Sequence, residues 1–280
     1  MKYYLTFDVG INNLAYCLSS YDNRKTIQDG LNIINWDILD VSFKPLICKH
    51  IKNKRAICNA KSTHYLLKDG NTDHSNIANL TGYCKKHVAS LKITNKVLHK
   101  TLSRVSQNTI FENNFTTQIT RLLRALNTFY DNIVNSMYNA DGNTCKNIEV
   151  YIENQPVLKN HVMKTISICI LTFFSLKKIT DNTIIKSVDF INAKEKTKNS
   201  FIDLMKQKLG IVLNRVYDFK LYKDRKAFAI DTTNQILVKL SPSVLNIVNT
   251  IIFENSKKKD DLADTLIYVI YSVLGGGYMF

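Results

Sequence analysis

Apolar and polar side chains alternate with a period of two across the first forty residues, the spacing of a strand whose successive side chains face opposite sides. Tyr4, Thr6 and Asp8 alternate with Tyr3, Leu5, Phe7 and Val9. Two further runs, Leu14 to Tyr21 and Leu31 to Leu39, are separated by the polar turn Asp22-Asn23-Arg24-Lys25, which predicts a three-stranded meander. Ile119, Leu122, Leu123, Leu126, Phe129, Tyr130 and Ile133 then recur at helical spacing and predict an amphipathic helix over Ile110 to Tyr138. Ile148 to Glu153 reads as a strand closed by Asn154-Gln155-Pro156, Val162 to Leu176 as a mostly buried helix, and Thr183 to Ile191 as another strand. A basic helix follows from Ala193 to about Leu209, then helices over Lys226 to Leu240, Ser243 to Glu254 and Asp261 to Leu274, with Ser241-Pro242 as a breaker. A meander followed by alternating helices and strands predicts an α/β fold, a mixed sheet with helices on its faces.

Between about residues 44 and 104 this regularity gives way to short pieces carrying Cys, His and Lys, with a Gly70-Asn71 turn. That stretch reads as a basic subdomain inserted into a principal domain of residues 1–43 and 105–280.

Composition fits a globular chain of one large core or two small ones: 280 residues, 45% apolar, with 9 Gly and 3 Pro. The 38 Lys plus Arg exceed the 23 Asp plus Glu by 15. An A/T-rich genome inflates Lys as well as the 30 Asn, but such bias spreads evenly, and this charge does not. Residues 44–111 carry a net +11 and residues 193–226 a net +6, leaving −2 for the rest. Two basic blocks in a near-neutral chain suit a polyanion, although solvated Lys faces are common on ordinary helices. The longest apolar stretches, Thr165 to Leu176 and Leu266 to Leu274, fall short of the ~20 residues of a membrane-spanning helix. Asp8 interrupts the apolar run a secretory signal needs, so an intracellular, unsecreted protein with reduced cysteines is expected.

Four carboxylates stand at ends of predicted elements. Asp8 precedes Gly10 at the end of the first strand, Glu153 precedes Asn154-Gln155-Pro156, and Asp261 and Asp264 share a face at the start of the last helix, from which Asp260 points away. Converging carboxylates repel unless protonated or bound to a cation, and a hard divalent ion such as Mg²⁺ takes oxygen ligands. Taken singly, Asp261 serves equally well as a helix-terminal acid and Glu153 as an edge-strand ion-pair partner. In the inserted block, Cys84-Lys85-Lys86-His87 has a spacing that puts two ligands on one ion, and Cys48 and Cys58 complete a Cys₃His zinc set. Nine residues separate Cys48 from Cys58, wider than a tight knuckle, and His50, His64 and His74 are nearby substitutes. Scattered buried thiols, the reading taken for Cys17 and Cys169, are the alternative.

Three stretches occur in the order seen in poxvirus-type Holliday junction resolvases: Phe7-Asp8-Val9-Gly10-Ile11-Asn12-Asn13-Leu14-Ala15, Ile152-Glu153-Asn154-Gln155, and Lys258-Lys259-Asp260-Asp261-Leu262-Ala263-Asp264-Thr265. The chain resembles this family, which belongs with the RuvC-like nucleases of the ribonuclease H superfold, over residues 2 to 275. Its stretch between Asp8 and Glu153 is longer than in compact members, and larger viral members carry a similar Cys-rich insertion.

The resemblance implies a ribonuclease H-like mixed sheet with a Cys/His-containing insertion. It implies that Asp8, Glu153, Asp261 and Asp264 are metal-binding catalytic acids for two Mg²⁺ or Mn²⁺ ions per active site. A catalytic Lys belongs in Ala193-Lys194-Glu195-Lys196-Thr197-Lys198, with Lys196 first and Lys194 second; a DNA-backbone contact is the other role open to it. The expected partner is branched DNA, four-way junctions above all, cut by a homodimer in a cytoplasmic viral replication setting. Phosphate contacts are expected from Lys49, Lys52, Lys54, Arg55, Lys85, Lys86, Lys194, Lys198, Lys258 and Lys259. A broader branched-DNA or RNA–DNA nuclease and a noncatalytic DNA-binding architectural protein are the rival expectations.

Overall fold

The structure, a computed structural model, describes residues 1–41, 47–52, 56–60, 62–67, 80–104, 115–141, 147–157, 160–181 and 184–275, without the side chains of 52, 56, 67, 104 and 136–141. The chain forms two compact units, Met1–Ser42 with Arg121–Phe280, and Phe43–Thr120.

The first unit is built on five strands: β1 (Lys2–Val9), β2 (Asn13–Tyr21), β3 (Leu31–Asp40), β4 (Ile148–Asn154) and β5 (Ile185–Asn192). Their order is β5-β4-β1-β2-β3. β1, β2 and β3 form the antiparallel meander, whereas β4 runs parallel to β1 and β5 parallel to β4. The sheet is therefore mixed, and α1 (Phe115–Asp141), α2 (His161–Thr180), α3 (Asn199–Leu209), α4 (Tyr222–Lys239), α5 (Val244–Asn255) and α6 (Lys259–Val273) accompany it.

Both faces of the sheet are covered, so β1 and β2 are buried along most of their length rather than on alternate residues. On one face Phe7 meets Phe129 of α1 and Phe174 of α2, with ring centroids 5.8 and 5.3 Å apart. On the other, Tyr4, Ala15, Cys17, Ile33 and Trp36 join a core with Met205, Phe228, Phe253 and α6. Leu262, Ala263, Leu266, Ile267, Val269 and Ile270 of α6 are all buried, which gives it an apolar run instead of a stripe. Thr6 Oγ1 donates to Thr265 O at 2.8 Å, and Trp36 Nε1 donates to Leu262 O at 3.1 Å and Thr265 Oγ1 at 3.0 Å. These bonds tie α6 to the sheet. At the β3 edge, Asn246 Oδ1 accepts from Ile33 N at 3.0 Å and Asn249 Nδ2 donates to Ile33 O at 2.9 Å, so α5 satisfies backbone groups that an edge strand leaves open.

Several expected bounds shift for local reasons. The basic helix begins at Asn199, not Ala193. Asn192 Oδ1 accepts from Lys194 N at 3.1 Å, a turn that bends the chain out of β5 into a short 3₁₀ segment at Glu195–Thr197, and Lys198 is extended before α3. α4 begins at Tyr222 rather than Lys226, α5 takes Ser243 as its N-cap, and one helical turn at Ile27–Gly30 enters β3. Ile110, the expected start of the first long helix, and Thr183, the expected start of β5, lie outside the described residues.

In the second unit, short antiparallel strands pair Ile51–Lys52 with Ala56–Ile57, and His64–Leu67 with Leu80–Tyr83 and Ser103–Arg104. Helices follow at Lys85–Thr94 and Lys96–Thr101.

Trp36→Phe removes one buried donor and part of a ring stacked 5.0 Å from Phe253. It is expected to lower stability by about 2–3 kcal/mol, read as a lower urea midpoint with an unchanged slope.

Candidate active site and cysteine–histidine cluster

Parallel pairing sets the first two acids side by side. Phe7 is in register with Ile152, so Asp8 and Glu153, one residue further on each strand, meet at the carboxyl ends of β1 and β4. The β1–β2 turn is tight: Gly10 N donates to Asn13 O at 3.1 Å, and a Cβ on Gly10 would lie 2.5 Å from that oxygen. Gln155 Nε2 donates to Val9 O at 3.4 Å and joins the two strand ends. α6 crosses the same face and brings in Asp261 and Asp264, while the 3₁₀ turn after β5 turns Lys196 inward. These five residues line one open cleft of about 680 Å³.

Lys196 is 7% exposed and its ammonium pairs with Asp264, 5.3 Å from the ring centre of Tyr268. Asp261 is 3.6 Å from Lys258, and Asp260 pairs with Lys226. Asp260 is outside the cleft lining, although its charge bears on Asp8 and Asp261 and its carboxyl is within hydrogen-bonding reach of Asp261.

Burial and then the facing Glu153 carboxylate push Asp8 well above the usual carboxylate range. Burial also lifts Asp264 to about 6, against the opposing pull of Lys196, and burial with the charges of Asp8 and Asp260 lifts Asp261 to about 6. Burial disfavours the Lys196 charge, but Asp264, Glu153 and Asp8 together outweigh it and hold the ammonium above its ordinary value. The centre is a set of oxygen donors that cannot all be anionic without a cation. Among the described residues, the group whose ligand atoms all lie within 4.8 Å of one another is a cysteine–histidine one.

That group is Cys48, Cys58, Cys84 and His87. Cys48 Sγ and Cys84 Sγ each lie 3.3 Å from His87 Nδ1, and Cys58 Sγ lies 3.9 Å from Cys84 Sγ. A tetrahedral zinc shell with Zn–S near 2.3 Å has edges of about 3.5–3.8 Å, so these four atoms fit such an ion. The nine residues between Cys48 and Cys58 hold the Ile51–Lys52 and Ala56–Ile57 hairpin, whose ends bond as Cys58 N to His50 O at 2.9 Å and Asn59 N to Cys48 O at 3.1 Å. Asn59 takes the left-handed conformation, φ 54°, that closes this loop. Cys84 is the N-cap of the Lys85–Thr94 helix, and His87 stands one turn on. His50 stacks on His87 at 4.0 Å, outside the four-ligand set, and His64 is also outside it; His74 lies outside the described residues. Cys17 is buried, as expected, and Cys169 is half-buried on α2.

Of the expected phosphate contacts, Lys194 and Lys258 line the cleft, while Lys198 pairs with Glu195 at 2.7 Å and Lys259 opens α6 outside the cleft lining. Lys49, Lys85 and Lys86 are exposed in the second unit. Lys54 and Arg55 lie outside the described residues, as does the Lys52 side chain. Asn12 was quoted only as part of the first motif, and sequence reasoning missed Phe219, Tyr222, Arg225 and Lys226 in the cleft wall. The basic block at 193–226 signals the last two; nothing marks the others. Tyr268 was also missed, because in an apolar run it reads as one more core residue.

No family model matches the chain, and no solved structure matches it. A stretch of 92 residues, 32% of the chain, is 29% identical to "Uncharacterized protein L451" of Acanthamoeba polyphaga mimivirus and spans 20% of that protein's length. Among the described residues, no helix is long and apolar enough to cross a membrane.

Between about pH 4 and 6 the cation-free folded chain keeps protons on Asp261 and Asp264 that the unfolded chain has released. Their contribution to stability therefore falls as pH rises through that window. In EDTA, Asp261→Asn should melt about 2–4 °C above the parent at pH 7.5, and the gap should close at pH 4.5, both read by scanning calorimetry.

Proposed function

We propose that the chain is a divalent-cation-dependent endonuclease that resolves four-way DNA junctions. The observation that carries this reading is the convergence of Asp8, Glu153, Asp261, Asp264 and Lys196 in one cleft at the carboxyl ends of parallel strands. The strand order, three antiparallel strands extended by two parallel ones, supports the ribonuclease H-like fold that the motif resemblance implies. A pure phosphate binder has no use for four converging carboxylates, which weighs against a noncatalytic architectural role. The partial similarity to a mimivirus protein supports a viral setting.

The four carboxylates would hold one or two Mg²⁺ or Mn²⁺ ions, which supply Lewis acidity at a phosphodiester and lower the pKa of the attacking water. Asp8 and Glu153 sit on paired strands whose ends Gln155 ties together, so they form the rigid side of the site. Asp261 and Asp264 ride on α6, held by Thr6 and Trp36. Lys196 keeps its proton in this surrounding. With Asp264 engaged by such an ion, the Lys196 ammonium would be available to stabilise charge developing on a phosphate.

Cys48, Cys58, Cys84 and His87 would hold a structural zinc, with no open position for catalysis. The fixed loop would present Lys49, Lys85 and Lys86 to the DNA backbone, which confers affinity without reading sequence. Two matched cuts on a two-fold junction imply a homodimer. The broader reading, a nuclease for flaps or RNA–DNA duplexes, shares this chemistry and differs only in substrate.

The deciding experiment incubates the protein with mobile four-way junctions and matched linear duplex, in Mg²⁺ or in EDTA. Symmetric, Mg²⁺-dependent nicking confined to the junctions is expected; binding without cleavage, or equal cutting of duplex, overturns the proposal. Asp8→Asn and Asp261→Asn should each lower the cleavage rate at least about a hundredfold while junction binding persists. Elemental analysis should find one zinc per chain and a loss of it in Cys84→Ala.

A further inference from the structure

Tyr268 lies on α6 one turn beyond Asp264, at 0% exposure beneath the cleft. Its phenol oxygen is shut off from solvent and makes no aligned hydrogen bond. A buried hydroxyl without a partner is uncommon, since a neutral ring would fill the same space at less cost. The charged groups that bear on it are the carboxylates of Glu153, Asp264 and Asp8, and Glu153 is within its hydrogen-bonding reach. Those three acids differ in what already serves them. Asp264 accepts from Lys196. Asp8 and Glu153 face each other, and once both are ionised, as ligands of a cation would be, neither has a donor to offer the other. Lys196 is committed to Asp264, and Gln155 donates to Val9 O. The Tyr268 O–H is therefore an uncommitted donor beside the acids, and a phenol proton can swing about its C–O bond toward Glu153.

We propose that Tyr268 is a positioning residue, whose O–H donates to Glu153 when that carboxylate takes a divalent cation and so fixes its orientation. The inference rests on the cation-dependent reading above. It assigns a partner behind a ligand rather than a new ligand, the arrangement by which carboxylate ligands are generally held in place. The ring has a separate role, packing against the core and against the Lys196 ammonium 5.3 Å from its centre.

Tyr268→Phe separates the two roles, because it keeps the ring and deletes the hydroxyl alone. The measurement is Mn²⁺ binding to the full-length protein without DNA, by titration calorimetry, alongside melting temperature in EDTA. Mn²⁺ affinity should drop about 10–100-fold, while the EDTA melting temperature stays at or above the parent's, since an unpaired buried hydroxyl has been removed. Tyr268→Leu, which loses the ring as well, should lower the melting temperature. Parental Mn²⁺ affinity in Tyr268→Phe, with Asp261→Asn losing the ion, would overturn the tyrosine's role and leave the cation reading standing. A parent that binds no Mn²⁺ at all would overturn both. A melting temperature that falls in Tyr268→Phe as far as in Tyr268→Leu would show a packing role and also overturn the proposal.

Discussion

Mutual repulsion among carboxylates that the fold holds together is the constraint on which the cleft depends. Register fixes Asp8 beside Glu153, and α6 lays Asp261 and Asp264 over them. The repulsion is relieved locally, by retained protons and by lysines, and it appears as the upward displacement of Asp8, Asp261 and Asp264. A group of acids kept at this cost, in a fold that could bury apolar side chains there, is more economically explained by chemistry than by stability.

The helix that carries two of those acids is also more buried than α2, α3, α4 or α5. Its apolar residues fill the core on every side, and its polar positions are confined to the end that reaches the cleft, to Thr265 and to Tyr268 and beyond. Trp36 ties the foot of α6 to β3 through Leu262 and Thr265, and Thr6 ties it to β1. Stability and site geometry thus share contacts.

Much of this was legible in the chain because the signals were local. Period-two alternation marked β1 through Thr6 and Asp8, and acids next to Gly10 and Pro156 marked strand ends. What escaped depended on tertiary context. The helix expected to start at Ala193 failed because the Asn192 side chain captures Lys194 N, and that failure swings Lys196 into the acids. The spacing of Cys48 and Cys58 looked too wide for a knuckle because it contains a hairpin, which shortens the distance in space while lengthening it in sequence. Tyr268 was invisible because an aromatic in a buried helix is core by default; only its hydroxyl, set against three carboxylates, distinguishes it.

The basic surplus also changes meaning at the cleft. Each acid near the start of α6 has a lysine: Asp260 with Lys226, Asp261 with Lys258 and Asp264 with Lys196. Part of the surplus therefore neutralises the centre before any ligand arrives, and is not simply spare charge awaiting a polyanion. On the proposed reading the same lysines have two partners, the acids in the cation-free state and phosphate oxygens when cations hold the acids. On that reading a cation on Asp261 and Asp264 would release Lys258 and Lys196 for phosphate, and phosphate on those lysines would leave the acids more in need of a cation. Cation and nucleic acid must then strengthen each other's binding, because linkage through shared groups is reciprocal.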